Sequence, residues 1–158
     1  MISNLPEALS LVSALKPAAD AAGRTGNYVN LKYVQRLFAL FYINQGNAAT
    51  VACSFLQAKD VSGTGSKAFS AAVPIWTDLD ADTASALTRQ ADAASYTTDA
   101  ALKTKVVWFQ IDPARLDVNN GFSTIAPVTG ASNAANITSA TFAVCWAMQQ
   151  LAAPNALA

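Results

Sequence analysis

Short apolar segments of alternating character recur along this chain about every ten residues, and this spacing most constrains its fold. The connectors between them are rich in Gly, Asn, Asp and Ser, which are turn residues. Strands in this arrangement are typical of antiparallel folds rather than of a parallel α/β sheet. The strand-like segments are 28–32, 37–44, 50–58, 67–73, 86–91, 94–98, 104–112, 122–129 and 139–148. We therefore predict a mainly β protein, an antiparallel β-sandwich of jelly-roll or immunoglobulin-like type with about eight strands.

The head of the chain departs from this pattern. Residues 3–17 carry helix-start signals, with Ser3 or Asn4 as N-cap and Pro6 in the first turn. Five apolar residues follow at approximately helical spacing, namely Leu5, Leu9, Leu11, Val12 and Leu15. Residues 18–27 form a small-residue connector without a core signal. The helix either docks on a neighbouring subunit through those five side chains or packs on its own sheet.

Three regions follow from these patterns. They are a helical or extended N-terminal arm over 1–27, a β-sandwich domain over 28–150 and a C-terminal tail over 151–158. Because the connector has few bulky groups, we expect the arm to serve assembly more than folding. Deletion of residues 1–25 is then expected to leave a folded β protein that no longer assembles.

Composition narrows the possible partners. Ten basic and ten acidic residues cancel, and charged residues are only 13% of the chain, so we expect no nucleic-acid binding. An apolar fraction of 53% and a mean hydropathy of +0.26 indicate a surface partly covered by copies of the chain or by a larger assembly. The longest bulky apolar run, 37–43, is far shorter than the ~20 residues of a membrane helix, and no basic residue precedes the apolar patch at 8–15. We expect neither a membrane span nor a secretory signal.

Catalytic chemistry has little support. The chain contains no histidine, which removes the Ser-His-Asp and Cys-His arrangements. Cys53 and Cys145 both fall in predicted strands, where buried thiols behave as small apolar residues. We expect no enzymatic activity and no cofactor.

The stretch "DVSGTGSKAF" (60–69) raises the question of a phosphate site, since a lysine follows a loop of Gly, Ser and Thr. A P-loop needs the pattern G-x-x-x-x-G-K-[ST], but Gly63 and Gly65 lie two apart and Ser66 separates Gly65 from Lys67. Because strand-like segments flank the loop, we predict a β-hairpin whose two glycines adopt positive φ.

One acidic loop, "DLDADTASALTR" (78–89), offers weak metal candidates. Asp78, Asp80 and Asp82 match the first three ligand positions of a calcium loop. Thr83 stands where the loop requires glycine, and Arg89 stands where it requires a bidentate glutamate. A solvated acidic loop is the favoured interpretation, with a weak ion site as the alternative.

The large aromatic side chains alternate along the predicted strands. They are Phe38, Phe41, Phe55, Trp108, Phe109, Phe142 and Trp146. Because large aromatics dominate both cores and interfaces, we expect them in the core or at a subunit interface rather than in a ligand platform. Trp108 is expected between the two sheets.

Several segments resemble a family of small structural proteins of tailed bacteriophages. They are "ADAAGRTGNYVNLK" (19–32), "INQGNAATVACSFLQAKDVSGTGSKAF" (43–69), "VPIWTDLD" (73–80), "KTKVVWFQIDPARLD" (103–117) and "GASNAANITSATFAV" (130–144). The resemblance implies a virion component of the head, a capsid decoration or minor capsid protein encoded next to the major capsid protein. These are turn and strand motifs, so they assign no functional residues.

The partners implied are the major capsid protein and the chain itself, as a homotrimer at three-fold positions or a dimer at two-fold positions. The implied location is the capsid surface of the virion, after synthesis in the host cytoplasm. The alternatives are a head–tail connector or tail component, and a carbohydrate- or ion-binding β-sandwich module.

Overall fold

The computed structural model describes residues 9–83 and 86–147, which form two antiparallel β-sheets. The strands are β1 (Leu9–Ala19), β2 (Arg24–Thr25), β3 (Val29–Asn30), β4 (Val34–Gln45), β5 (Ala52–Ala58), β6 (Lys67–Ala68), β7 (Val73–Asp78), β8 (Thr88–Ala93), β9 (Tyr96–Thr97), β10 (Thr104–Ile111), β11 (Thr124–Thr129) and β12 (Asn136–Trp146). The first sheet has the order β1-β12-β4-β10-β7-β8. The second has the order β2-β11-β5-β6, with β3 paired to β11 and β9 to β5. The predicted mainly β, antiparallel class is confirmed, with twelve strands in the described residues.

The core lies between the two sheets and is built on aromatic rings. Phe41, Phe109 and Phe142 of the first sheet meet Phe55 of the second. The Phe55 ring centroid lies 4.9 Å from that of Phe109 and 5.6 Å from that of Phe41, both edge-on. Each such buried side chain stabilises the fold by about 1.5–3 kcal/mol.

The segment predicted as the start of a helix is a strand. β1 pairs along β12, with Leu9 opposite Cys145 and Val12 opposite Phe142. Val12, Ala14 and Leu15 are buried in the core. The helix prediction is therefore wrong over residues 9–17, because a short isolated helix is marginal whereas the strand gains a full ladder of hydrogen bonds and a buried face. Residues 1–8 lie outside the described part of the chain.

The connector after β1 is tied to both sheets through a buried carboxylate. Asp20 is 0% exposed. Its Oδ1 accepts hydrogen bonds from Arg24 Nε at 2.7 Å and from Thr129 Oγ1 of β11 at 2.8 Å, while its Oδ2 accepts from Thr138 Oγ1 of β12. Arg24 donates in addition to the Thr138 carbonyl oxygen at 2.8 Å. The connector is thus anchored by the buried Asp20, which its small-residue composition does not predict. Residues 9–27 therefore pack with the sandwich, unlike the predicted arm.

The predicted hairpin over 60–69 is confirmed. β5 and β6 are antiparallel, with Gln57 opposite Lys67. Gly63 and Gly65 have φ of 82° and 64°, a region that L side chains rarely adopt.

The helical content of the described residues consists of two 3-10 turns, Pro113–Arg115 and Val118–Asn120. Asp112 caps the first of these turns by accepting a hydrogen bond from the Ala114 N–H at 2.9 Å. Within the described ranges, no helix has the length and apolar character needed to cross a membrane.

Candidate interaction surface

The face of the first sheet that points away from the core is rich in large apolar side chains. Strand alternation places them there, because their neighbours along each strand are buried inward. We call this set the apolar ridge: Phe38, Leu40 and Tyr42 of β4, Val106 and Trp108 of β10, and Trp76 of β7. The pairing register sets Leu40 opposite Trp108 and Trp108 opposite Trp76. The ridge therefore crosses three adjacent strands.

The ridge contains a shallow groove. Its volume is about 360 Å³, and it is lined by Phe38, Trp76, Leu87, Trp108 and Gln110. The Phe38 and Trp108 rings meet edge-on with centroids 6.0 Å apart. Gln110 is the one polar side chain among these lining residues. A concavity of this composition accepts an apolar group better than a polar ligand.

Trp108 was expected between the sheets, and that expectation is wrong. Trp108 is half-buried on the outer face, while Phe109 beside it is 0% exposed in the core. Alternation identifies residues that share a face, but a strand with apolar residues on both faces does not show which face points inward.

A strip of small side chains runs beside the ridge. The outward residues of β12 begin with the exposed Ile137, and we call the four that follow it the valley: Ser139, Thr141, Ala143 and Cys145. Its far wall is Leu11 of β1, which lies opposite Ala143 and is 73% exposed. The near wall is the ridge itself, since Thr141 lies opposite Leu40 and Ala143 opposite Phe38.

Charges lie at the margins of this outer face. Among its described residues, Arg36 stands near the start of β4, Asp78 at the end of β7 and Arg89 on the edge strand β8. The Arg89 guanidinium lies 4.9 Å from the Trp76 ring centroid and is also paired with Asp92. The centre of the face is therefore uncharged.

The five predicted assembly contacts do not share one surface. Leu9 and Leu11 lie on the outer face of the first sheet, where Leu9 is half-buried. Val12 and Leu15 are buried in the core of their own chain. Leu5 lies outside the described residues. Strand alternation separates Leu9 and Leu11 from Val12, and the bulge between Ser13 and Leu15 turns Leu15 inward.

The acidic loop does not gather its carboxylates into a metal cage. Asp78 Oδ1 accepts a hydrogen bond from the Asp80 N–H at 3.0 Å, and Asp80 is paired with Lys103. The Lys103 ammonium, hydrogen-bonded to Asp80, holds the pKa of that carboxyl below its usual range. Asp82 is exposed. Over residues 9–83 and 86–147, no cluster of three or more His, Cys, Asp or Glu side chains is arranged to hold a metal ion.

Lys67, the lysine of the phosphate-like stretch, is engaged elsewhere. Its ammonium pairs with Asp117 and lies 4.3 Å from the Phe122 ring centroid. The hydrogen bond from Lys67 is the main reason that the pKa of Asp117 is lowered. These contacts attach the hairpin to the loop before β11.

A buried lysine is the polar feature that sequence reasoning missed. The Lys105 side chain is 0% exposed, and its Nζ donates to Asp99 Oδ1 at 2.6 Å and to Gln45 Oε1 at 2.9 Å. Its hydrogen bond to Asp99 holds the pKa of that carboxyl below the usual range. The sequence signal for its burial was strand alternation, since Lys105 lies on the same face of β10 as the inward residues Val107 and Phe109. Because the ammonium is fully paired, its role is structural.

Both cysteines are free thiols. Cys53 is buried in β5, and desolvation raises the pKa of its thiol well above the usual range. Cys145 is half-buried on β12, and burial raises the pKa of its thiol as well. A thiol of raised pKa is a poor nucleophile, since the thiolate is the reactive form.

Neither a protein-family model nor a curated protein sequence matches this chain. Among solved structures, the SPBc2 prophage-derived protein YomS is 12% identical over 86% of this chain and 92% of its own, with a TM-score of 0.46. A putative sugar binding protein from Bacteroides thetaiotaomicron is 10% identical over 78% of this chain and 65% of its own, with a TM-score of 0.32. Likenesses at these TM-scores carry no argument about function.

Proposed function

We propose that this chain is a non-enzymatic structural protein of a tailed-bacteriophage virion, a capsid decoration or minor capsid protein that bridges neighbouring capsomers. The observation that carries the proposal is the outer face of the first sheet, where Phe38, Leu40, Tyr42, Trp76 and Trp108 form an uncharged apolar surface suited to assembly. The resemblance of five segments to small phage structural proteins supplies the viral context.

The physics of a decorated shell matches this architecture. A protein that binds only the assembled capsid stabilises it by mass action against the pressure of packaged DNA. Such a protein needs a rigid body with a preformed contact surface. The aromatic core around Phe55 supplies the rigidity, and the outer face of the first sheet supplies the surface.

The carboxylates support a role without catalysis. The hydrogen bonds of Asp80, Asp99 and Asp117 to lysine ammoniums hold the pKa of each below its usual range. These groups are therefore ionised near neutral pH and make poor general acids. With no histidine in the chain, the general base of Ser-His-Asp and Cys-His sites is missing.

A carbohydrate-binding module is the alternative raised by the groove beside Trp76 and Trp108. Stacking on indole rings is one part of sugar recognition, but a sugar also requires several polar partners for its hydroxyls. Gln110 is the one such side chain among the lining residues, so assembly is the favoured use of this surface.

The test is to locate the protein in virions of the phage that encodes it. We expect a cryo-electron microscopy map to show the sandwich on the outer surface of the head, between capsomers. Heads assembled without the protein should release DNA at a lower temperature, and added purified protein should restore the wild-type release temperature. Density at the head–tail junction or in the tail would favour the connector alternative. Absence from purified virions would refute the proposal.

A further inference from the structure

We propose that the outer face of the first sheet is a homodimer interface, in which the apolar ridge of one copy packs into the valley of a second copy. The inference assigns the assembly surface described above to a second copy of the chain, so that the dimer is the unit that meets the capsid, through its remaining faces. Its test needs no phage particle, so it can fail independently of the proposed virion role.

The shape of the valley fits the ridge. β12 lies between β1 and β4, and neighbouring strands are ~4.8 Å apart, so the walls formed by Leu11 and Phe38, on either side of Ala143, are separated by ~10 Å. That width accommodates one row of large side chains between two walls. The floor lies below both walls because the side chains of Ser139, Thr141 and Ala143 are small.

A single surface carries both halves of this fit, which favours a second copy over an unrelated partner. The ridge and the valley lie side by side on adjacent strands β4 and β12. A two-fold axis lying in the interface, along the strands and between β4 and β12, carries the β4 row of each ridge over the other copy's valley and lays β10 over β1. Such an isologous arrangement uses both contacts twice and closes after two copies.

Charge and area agree with self-association. Asp78 and Arg89 lie on β7 and β8, outside the overlapping strands, and the Arg36 side chains of the two copies meet only at one end of the overlap, so its centre carries no charge. With this axis, β1, β12, β4 and β10 of the two copies overlap, and four strands ~4.8 Å apart with 8–12 residues of ~3.3 Å each span a projected area of roughly 600 Å². The accessible area of a corrugated face exceeds its projection, and a specific interface buries ~800 Å² per partner.

Sedimentation equilibrium of the full chain is the primary test, and we expect the mass of a dimer. Tryptophan emission should shift to shorter wavelength as protein concentration rises, because Trp108 of β10 leaves water on dimerisation. Leu40→Lys and Tyr42→Lys should each raise the dimer Kd by ~100-fold or more, since a charge would be buried at the centre of the interface. Leu11→Lys, on the far wall of the valley, should weaken the dimer by ~10-fold.

The matched control is Val118→Lys. Val118 is an apolar residue, 54% exposed, that lies outside the first sheet, so its substitution should leave the dimer Kd unchanged. A second design avoids adding charge: Thr141→Trp fills the valley floor at a half-buried outward position and should block dimerisation while thermal melting stays cooperative.

Three results would each overturn the inference. They are a monomer at every concentration up to ~100 µM, a trimer mass, and a dimer that resists both Leu40→Lys and Thr141→Trp. A monomer that still decorates heads would leave the proposed function standing. A dimer absent from virions would remove the proposed function and leave this interface.

Discussion

Removal of the Asp20 carboxylate tests whether the N-terminal segment belongs to the folded body. The carboxylate accepts hydrogen bonds from Arg24, Thr129 and Thr138, and thereby joins the connector after β1 to β11 and β12. Breaking a buried ion pair by deleting one partner costs ~3–5 kcal/mol. Arg24 keeps contacts to main-chain carbonyl oxygens at 2.7–3.0 Å, so its charge is not stranded and the lower end of that range, about 3 kcal/mol, is expected for Asp20→Ala.

The assay is equilibrium urea unfolding followed by circular dichroism, with a matched exposed pair as control. Asp92 pairs with Arg89, and the side chains of both are close to half exposed, so Asp92→Ala should cost less than about 1 kcal/mol. A domain of this size has a free energy of unfolding of about 5–15 kcal/mol, so loss of the Asp20 contacts should move the midpoint clearly. An Asp20→Ala variant within about 1 kcal/mol of wild type would refute the reasoning, because residues 9–27 would then contribute as little as a detachable arm.

Three further outcomes are expected. In the monomer, Phe109→Ala should cost ~3–5 kcal/mol in thermal or urea unfolding, and Trp108→Ala only about 1–2 kcal/mol because its side chain is half-buried. The reverse order would mean that β10 is one residue out of register. Hydrogen bonding to Lys105 lowers the pKa of Asp99 below its unfolded value of ~3.9, so its contribution is complete above about pH 4 and is lost as the pH falls through the lowered pKa. Since the chain has no histidine, the free energy of unfolding should be nearly constant from about pH 5 to 8, and a step near pH 6.5 would contradict this. Lys67→Ala should change the free energy of unfolding by less than about 1 kcal/mol. If the wild type bound ATP and this variant did not, the phosphate-site interpretation would be restored.

Local pattern was enough to position most strands. The predicted strands 50–58 and 104–112 correspond to β5 and β10 within two residues at each end. The hairpin turn with positive φ at Gly63 and Gly65 could also be predicted, because positive φ and alternation are properties of a few consecutive residues.

The candidate surface could be predicted only in part from sequence. Alternation grouped Val106 with Trp108 and Val107 with Phe109, but both groups are apolar, and the group that contains Lys105 is the one that faces inward. The sequence favours the opposite assignment, since an unpaired lysine avoids the core. Asp99 and Gln45, which make the burial of Lys105 tolerable, are brought to it by the tertiary fold.

By itself, the sequence determined the class of the fold, the positions of most strands and the hairpin, because these depend on neighbours within a few residues. Only the tertiary structure decided that Leu9–Ala19 is a strand, because its partner β12 lies more than a hundred residues away and its bulges erase the alternation that would mark a strand. Only the tertiary structure also placed Trp108 outside and Asp20 inside. The free energy of burying a side chain depends on what the opposite sheet presents to it, and no local window contains that information.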